Sequence, residues 1–216
     1  MTDSEPVLAE LEPTTGERLL AGAAEMFREK GYAATSTRAL AARLGIQNAS
    51  LYHHIGGKED LLYRLCMVTL DDVAERFAQV LDVQRDPSEA LGLLATGYLD
   101  QALRDRDRHA TMLSELRSLS TDRRAEVVGR RDENVARVQE TVIAAQAAGQ
   151  LREEIDPKYL TLALFNLLNW SIFWFSPDGD LDRDELGRIL SSVYFDGIRD
   201  RAQDETNTPE GGARCA

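Results

Sequence analysis

The sequence predicts an all-α protein, and three observations carry that expectation. Gly and Pro are sparse inside its periodic segments. No run sustains the alternation of β-branched and aromatic residues that marks a half-buried strand, and apolar residues instead gather on one face at helical spacing. At 216 residues the chain has room for one large or two small domains, and it can bury a core without disulfide or metal staples. About nine helices are expected, three in an N-terminal domain over 14–64 and the rest in a helical body over 65–200, with flexible tails at 1–13 and 201–216.

The first helix starts near Thr14 or Thr15 and sets Leu19, Leu20, Ala23, Met26 and Phe27 on one face. It stops at Gly31, where Glu29-Lys30-Gly31 supplies a cation in the last turn and a residue free to turn left-handed. A short helix from about Thr37 to Leu44 ends at Gly45, and a third from about Asn48 to His54 is broken by Gly56-Gly57. A long helix follows from about Lys58 to Leu81, then one over Ser88 to Arg104, a segment from Asp107 to Leu119, and a long helix from Thr121 to Ala148 closed by Gly149. Asp156-Pro157 is an N-cap with Pro at the first helical position, and it opens a helix that continues to Phe175. The Ser176-Pro177-Asp178-Gly179 turn stops that helix. A last one occupies Leu181 to about Arg199, and from Asp200 the composition turns polar.

Composition narrows the function. Two cysteines, Cys66 and Cys215, make no disulfide framework, as expected of a cytosolic chain. The first thirteen residues carry Asp3, Glu5, Glu10 and Glu12 and no base, the reverse of a secretory leader. The longest apolar stretch, around Leu160 to Phe175, is interrupted by Asn166, Asn169 and Ser171 and is shorter than the roughly 20 residues that span a bilayer. A cytoplasmic protein with no membrane partner is expected. His53 and His54 are adjacent and so project about 100° apart on a helix, and no His pair is spaced i, i+4. His109 stands alone in a charged stretch and reads as a surface residue, so no metal site is expected. There is no nucleophile elbow, phosphate-binding Gly loop or Cys cluster, so neither a catalytic group nor a cofactor is expected.

The net charge of −12 argues at first against nucleic acid, because phosphate neutralisation is the main source of DNA affinity. Its distribution along the chain points the other way. Residues 14–65 hold seven Lys or Arg against five acids, while the first thirteen residues alone carry −4. Within the basic segment, Thr37 to Tyr52 has the anatomy of a helix-turn-helix: two short helices meet at a Gly turn, and the second is short enough to lie in the major groove. Ala41 is small where the helices approach, Gly45 suits a left-handed turn, and Leu40, Leu44, Ile46 and Leu51 are the apolar contacts.

Thr35-Ser36-Thr37, Ala39-Leu40-Ala41, Leu44-Gly45-Ile46, Leu51-Tyr52-His53-His54-Ile55 and Lys58-Glu59-Asp60-Leu61-Leu62 together resemble the DNA-binding domain of the TetR family, over about residues 14–64. Ile55 stands where the family usually has Phe, and Gly56-Gly57 where Pro-Ser is common. The resemblance implies a dimeric repressor that binds a palindromic operator in double-stranded DNA and is released by a small effector. It implies that Thr37, Tyr52, His53 and Lys58 grip phosphates and that Gln47, Asn48, Ala49 and Ser50 meet base edges, Asn or Gln suiting adenine and Ala a thymine methyl. Tyr52 also reads as a packed aromatic, and Arg38 and Arg43 as either phosphate contacts or solvated charges.

In the body, Phe165, Phe173, Trp174, Tyr194 and Phe195 concentrate large aromatics in the last two helices. By resemblance those helices form a four-helix bundle with a partner, although a monomer core would use the same residues. The effector cavity is expected among the helices between Lys58 and Phe175, walled by Met67, Leu70, Phe77, Leu94, Tyr98, Met112, Leu113 and Leu116, with Asn166, Asn169 and Trp170 beside them. The arginines Arg104, Arg106, Arg108, Arg117, Arg123, Arg124, Arg130 and Arg131 crowd the middle of the body, and the stretch from His109 to Arg131 with the Trp174 to Asp178 turn resembles TetR-type regulators of lipid and steroid catabolism. That resemblance implies an acyl-CoA effector with its phosphates on some of these arginines; the alternative is that they solvate the surface beside their acidic neighbours. An activator or co-repressor on the same fold, or a helical enzyme, are the other functional readings.

Overall fold

The computed structural model describes residues 14–47 and 55–198. The expected third helix, with Asn48, Ala49, Ser50, Tyr52 and His53, lies outside the described residues, as do both tails. The described chain forms eight α-helices and one 3₁₀ turn: α1 (Thr15–Lys30), α2 (Thr37–Arg43), α3 (Lys58–Leu81), α4 (Pro87–Arg104), α5 (Arg106–Glu115), the turn Leu116–Ser118, α6 (Thr121–Ala147), α7 (Pro157–Trp174) and α8 (Arg183–Ile198).

Local chemistry sets most of these limits. Thr14 and Glu17 form a reciprocal capping box in front of α1, Thr14 Oγ1 accepting from Glu17 N at 3.2 Å and the Glu17 carboxylate from Thr14 N at 2.7 Å. Ser36, one residue ahead of the expected start, caps α2 by accepting from Ala39 N. Asp86 and Asp156 cap α4 and α7, each with Pro at the first helical position. At the end of α2 the N–H of Gly45 reaches Ala42 O and that of Ile46 reaches Ala41 O, a Schellman closure that requires the left-handed φ of +66° found at Gly45. The segment expected as one piece from Asp107 to Leu119 divides at Glu115, where the chain tightens into the 3₁₀ turn.

Two apolar cores result. The N-terminal one joins Leu19, Met26 and Phe27 of α1 and Leu40 and Ala41 of α2 to Leu61, Leu62, Leu65 and Leu70 of α3, and it draws in Met112, Leu119 and Val127 from the body. The larger one packs Val73 and Phe77 of α3 with α4, α6, α7 and α8. The boundary expected near 64 therefore falls inside a continuous helix that belongs to both cores.

Gly45 and Gly129 separate conformational strain from crowding, since a Cβ added at either meets nothing within 4 Å. Gly45→Ala should lower stability by about 1–2 kcal/mol through its left-handed backbone, and Gly129→Ala, inside α6, should raise it by about 1 kcal/mol. Urea unfolding at fixed protein concentration measures both; equal effects would contradict this account of the turn.

Candidate nucleic-acid interface and ligand cavity

The turn of the helix-turn-helix is held from beneath. Thr35 is buried and donates its hydroxyl to Gly31 O at 3.0 Å and to Met26 O at 3.3 Å, fixing the chain between α1 and α2. Arg43 pairs with Glu29 at 2.6 Å and Glu25 at 2.9 Å, tying α2 to α1. Its hydrogen bond to Glu29 raises the Arg43 pKa and lowers that of Glu29. Gly22 is the close approach: a Cβ there would come within 2.8 Å of the Leu44 side chain, a constraint the sequence did not advertise. Arg38 and Gln47 are exposed and Thr37 is half-buried at the start of α2. Lys58 turns inward, donating to Tyr32 O at 2.9 Å with its ammonium 4.3 Å from the centre of the Tyr32 ring.

Charged groups lock this unit to the body. Arg28 of α1 pairs with Asp107 of α5. Asp60 at the start of α3 accepts from Arg123 at 3.0 Å, and Glu59 accepts from Ser120 N at 3.0 Å, which lowers the Glu59 pKa. Arg108 reaches Asp72 at 3.1 Å, and Arg130 reaches Asp71 at 2.7 Å. Arg106 donates from Nε to Ile172 O at 2.7 Å and from its terminus to Phe173 O, capping the end of α7. The arginines expected to bind phosphate or merely solvate the surface therefore include several that tie helix to helix.

The last two helices present an unpartnered apolar face. Tyr159, Leu162, Trp170 and Phe173 recur along one stripe of α7, with Trp174 beside them, and Ile189 and Val193 along one stripe of α8. Trp170 is 68% exposed and Val193 62%. Trp170, expected at the cavity, is on this outer face instead. Tyr194 and Phe195, expected at the dimer seam, are core residues of the protomer, and the Tyr194 hydroxyl donates to Leu160 O at 2.9 Å.

A cavity of about 280 Å³ opens between α6 and α7 and reaches inward to α3, α4 and α5. It is walled by the expected Leu70, Tyr98, Met112, Leu113, Asn166 and Asn169, together with Val73, Asn134, Val135, Leu162 and Phe165, and has Arg131 and Asp132 at its exposed edge. Phe165, expected at the dimer seam, lines this cavity, with its ring edge-on to Tyr98 at 5.3 Å. Phe77 and Leu94 are core behind the wall, and Met67 and Leu116 pack against the N-terminal core. Asn134 was detectable in the sequence as a polar residue on the inward stripe of α6 that also holds Val127, Val138 and Val142.

The Tyr98 hydroxyl donates to Asn169 Oδ1, bridging α4 and α7 across the wall. Behind Tyr98, in edge contact at 5.7 Å, His109 is fully buried with neither ring nitrogen hydrogen-bonded, contrary to the surface position expected. Its surroundings push its pKa down to about 4, chiefly because burial disfavours the imidazolium. Cys66, also buried, is pushed up to about 12 and stays a thiol. Among the described residues no three of His, Cys, Asp or Glu converge to hold a metal ion.

Comparison with known proteins matches residues 19–65 to bacterial regulatory proteins of the tetR family, and residues 84–198 to the tetracyclin repressor-like C-terminal domain. The HTH-type transcriptional repressor KstR2 of Mycolicibacterium smegmatis is 28% identical over 187 residues, 84% of this chain and 89% of the relative. Among solved structures, the TetR family regulator PfmR from Thermus thermophilus is 32% identical with a TM-score of 0.77, over 83% of this chain and 97% of that one. AibR, solved in complex with isovaleryl coenzyme A and operator DNA, is 26% identical with a TM-score of 0.76, over 83% and 97%.

A histidine that protonates near 4 when folded and at its ordinary 6.5 when unfolded costs stability as the pH falls between those values, because the unfolded chain takes the proton first. Between pH 6.5 and 4 the stability difference should move in favour of His109→Leu over wild type by about 3 kcal/mol, at 1.36 kcal/mol per pKa unit. Urea midpoints across that range measure it; a difference flat with pH would show that His109 is not held neutral.

Proposed function

Because the chain belongs to the TetR family of bacterial transcription regulators, we propose that it represses transcription as a homodimer on a palindromic operator and lets go when an acyl-CoA thioester fills its cavity. It is a regulator and not an enzyme. No described helix is long and apolar enough to cross a membrane, and a partner that is double-stranded DNA gives the protein its place in the cytoplasm.

The observation that carries ligand control is the cavity's position where the two cores meet. Leu70 and Met112 line it and belong to the N-terminal core, Val73 and Tyr98 line it and belong to the body core, and Leu113 packs against both. A ligand that widens this junction displaces α3 and α5, which carry α1 through the Arg28–Asp107 pair. The two recognition segments then no longer match successive major grooves about 34 Å apart. The shift needs a ligand that prefers the DNA-incompetent form, by a coupling typically of about 1–3 kcal/mol. A mostly apolar wall that opens at the Arg131–Asp132 pair suits an acyl chain inside and a larger head outside, and AibR's bound isovaleryl coenzyme A supports the same class.

In the proposed complex Thr37, Tyr52 and His53 meet phosphates, Gln47, Asn48, Ala49 and Ser50 meet bases, and Arg38, exposed on α2, faces the backbone. Lys58 acts by holding the Tyr32–Ala33 turn. The exposed stripes of α7 and α8 pair with their copies about a two-fold axis, as a palindrome demands.

The primary test is selection of random duplex DNA on the purified protein, with and without an acyl-CoA panel. A palindrome released by an acyl-CoA is expected. A ligand that tightens binding makes the protein a co-repressor, and no enriched sequence removes the DNA assignment. Gln47→Ala should change which operators are preferred, whereas Lys58→Ala should weaken binding to all of them without changing its salt slope. A slope reduced by about 1 would instead make Lys58 a phosphate contact. Trp170→Glu combined with Val193→Glu should yield a folded monomer in sedimentation and abolish operator binding; a dimer that survives would place the interface elsewhere.

A further inference from the structure

The cavity wall contains a hydrogen-bond acceptor without a partner. Asn134 is 3% exposed and lines the cavity next to Leu70. Its Nδ2 donates to Leu70 O at 2.9 Å, and its Oδ1 has no partner. The amide orientation is fixed by chemistry: a carbonyl accepts only from the NH₂ end, and the reversed amide would set two acceptors together. The group left over is therefore an acceptor, closed off in the cavity, and a ligand donor reaches it by parting the side chains that cover it.

Of the other polar groups of the wall, Asn166 is exposed and the rest are engaged at least in part. Tyr98 donates to Asn169, and Arg131 and Asp132, the charged lining residues, pair with each other at 2.9 Å at the exposed edge. Inside the edge the wall carries no charge that would bind an ion. The volume of 280 Å³ equals about nine water volumes, room for a group of about ten non-hydrogen atoms.

We infer that Asn134 is the specificity residue of the cavity and accepts a hydrogen bond from a hydroxyl or N–H carried on an uncharged, otherwise apolar ligand group of that size. The inference rests on the reading of this cavity as the effector site. A ligand that brings the donor satisfies an acceptor otherwise left unpaired. One that lacks it keeps the unpaired acceptor sealed beneath apolar atoms, and sites of this type discriminate strongly against such an analogue. A hydroxylated medium-chain acyl thioester meets both the size and the donor requirement.

Binding of octanoyl-CoA and of each of its monohydroxy isomers to the full-length protein, by calorimetry, tests this directly. One isomer is expected to bind about tenfold or more tightly than octanoyl-CoA, and Asn134→Leu, checked for folding by thermal melt, should erase that advantage while still binding octanoyl-CoA. Equal affinity of octanoyl-CoA and every isomer for wild type sinks the inference, with or without a folded variant, and leaves the effector reading standing. Persistence of the preference in Asn134→Leu sinks it as well. If neither octanoyl-CoA nor any isomer binds a protein that still selects its operator, the acyl-CoA reading fails and the inference falls with it.

Discussion

One helix that belongs to two cores governs this molecule. α3 runs 24 residues, about 36 Å at 1.5 Å per residue, with no Gly or Pro to bend it. Its first turns bury Leu61, Leu62 and Leu65 against α1 and α2, and its later turns bury Val73 and Phe77 against the body. Such a rod cannot shift at one end without moving the other, because close-packed cores pass displacement on rather than absorb it. The cavity touches the rod at Leu70 and Val73, the point where it leaves one core and enters the next.

Electrostatics refine this arrangement more than they stabilise it. Arg28–Asp107, Arg123–Asp60, Arg108–Asp72 and Arg130–Asp71 each join α1 or α3 to α5 or α6. Most of these groups are partly exposed, and pairs of that kind contribute about 0–1 kcal/mol each. Their consequence is register: they fix which turn of α5 or α6 faces which turn of α1 or α3. Arg106 extends the same corner to α7, so the N-terminus of α5 meets both the helix-turn-helix unit and the helix with the exposed aromatic stripe.

The buried polar groups follow a different rule. Asn134 in the cavity wall and His109 behind Tyr98 have unsatisfied atoms, as do Gln101, Thr111 and Ser191 outside the lining, and the Tyr98–Asn169 bond crosses the wall. An apolar set of the same shape would be more stable, since each unpaired buried polar atom costs about 1–3 kcal/mol.

The sequence by itself determined the helices and the helix-turn-helix, because their causes are local. Capping residues such as Asp156, the positive-φ Gly45 and Gly149, and the apolar stripe from Leu19 to Phe27 act within a few positions of one another. Leu70, Tyr98, Met112 and Leu113 of the cavity wall were legible for a related reason, since inward-facing Leu, Met and Tyr on neighbouring helices have few other places to go. Tertiary structure decided what depends on rotation about a helix axis and on distant partners. Tyr194 and Trp170 are both aromatic residues of the last two helices, and only packing placed the first in the core and the second outside. His109, flanked by charged residues in the chain, is buried because α5 packs against α1, α3, α4 and α7, and Lys58 is drawn to Tyr32, 26 positions away. Spacing along a chain records periodicity, whereas burial and pairing are set by which faces meet when every helix is in place.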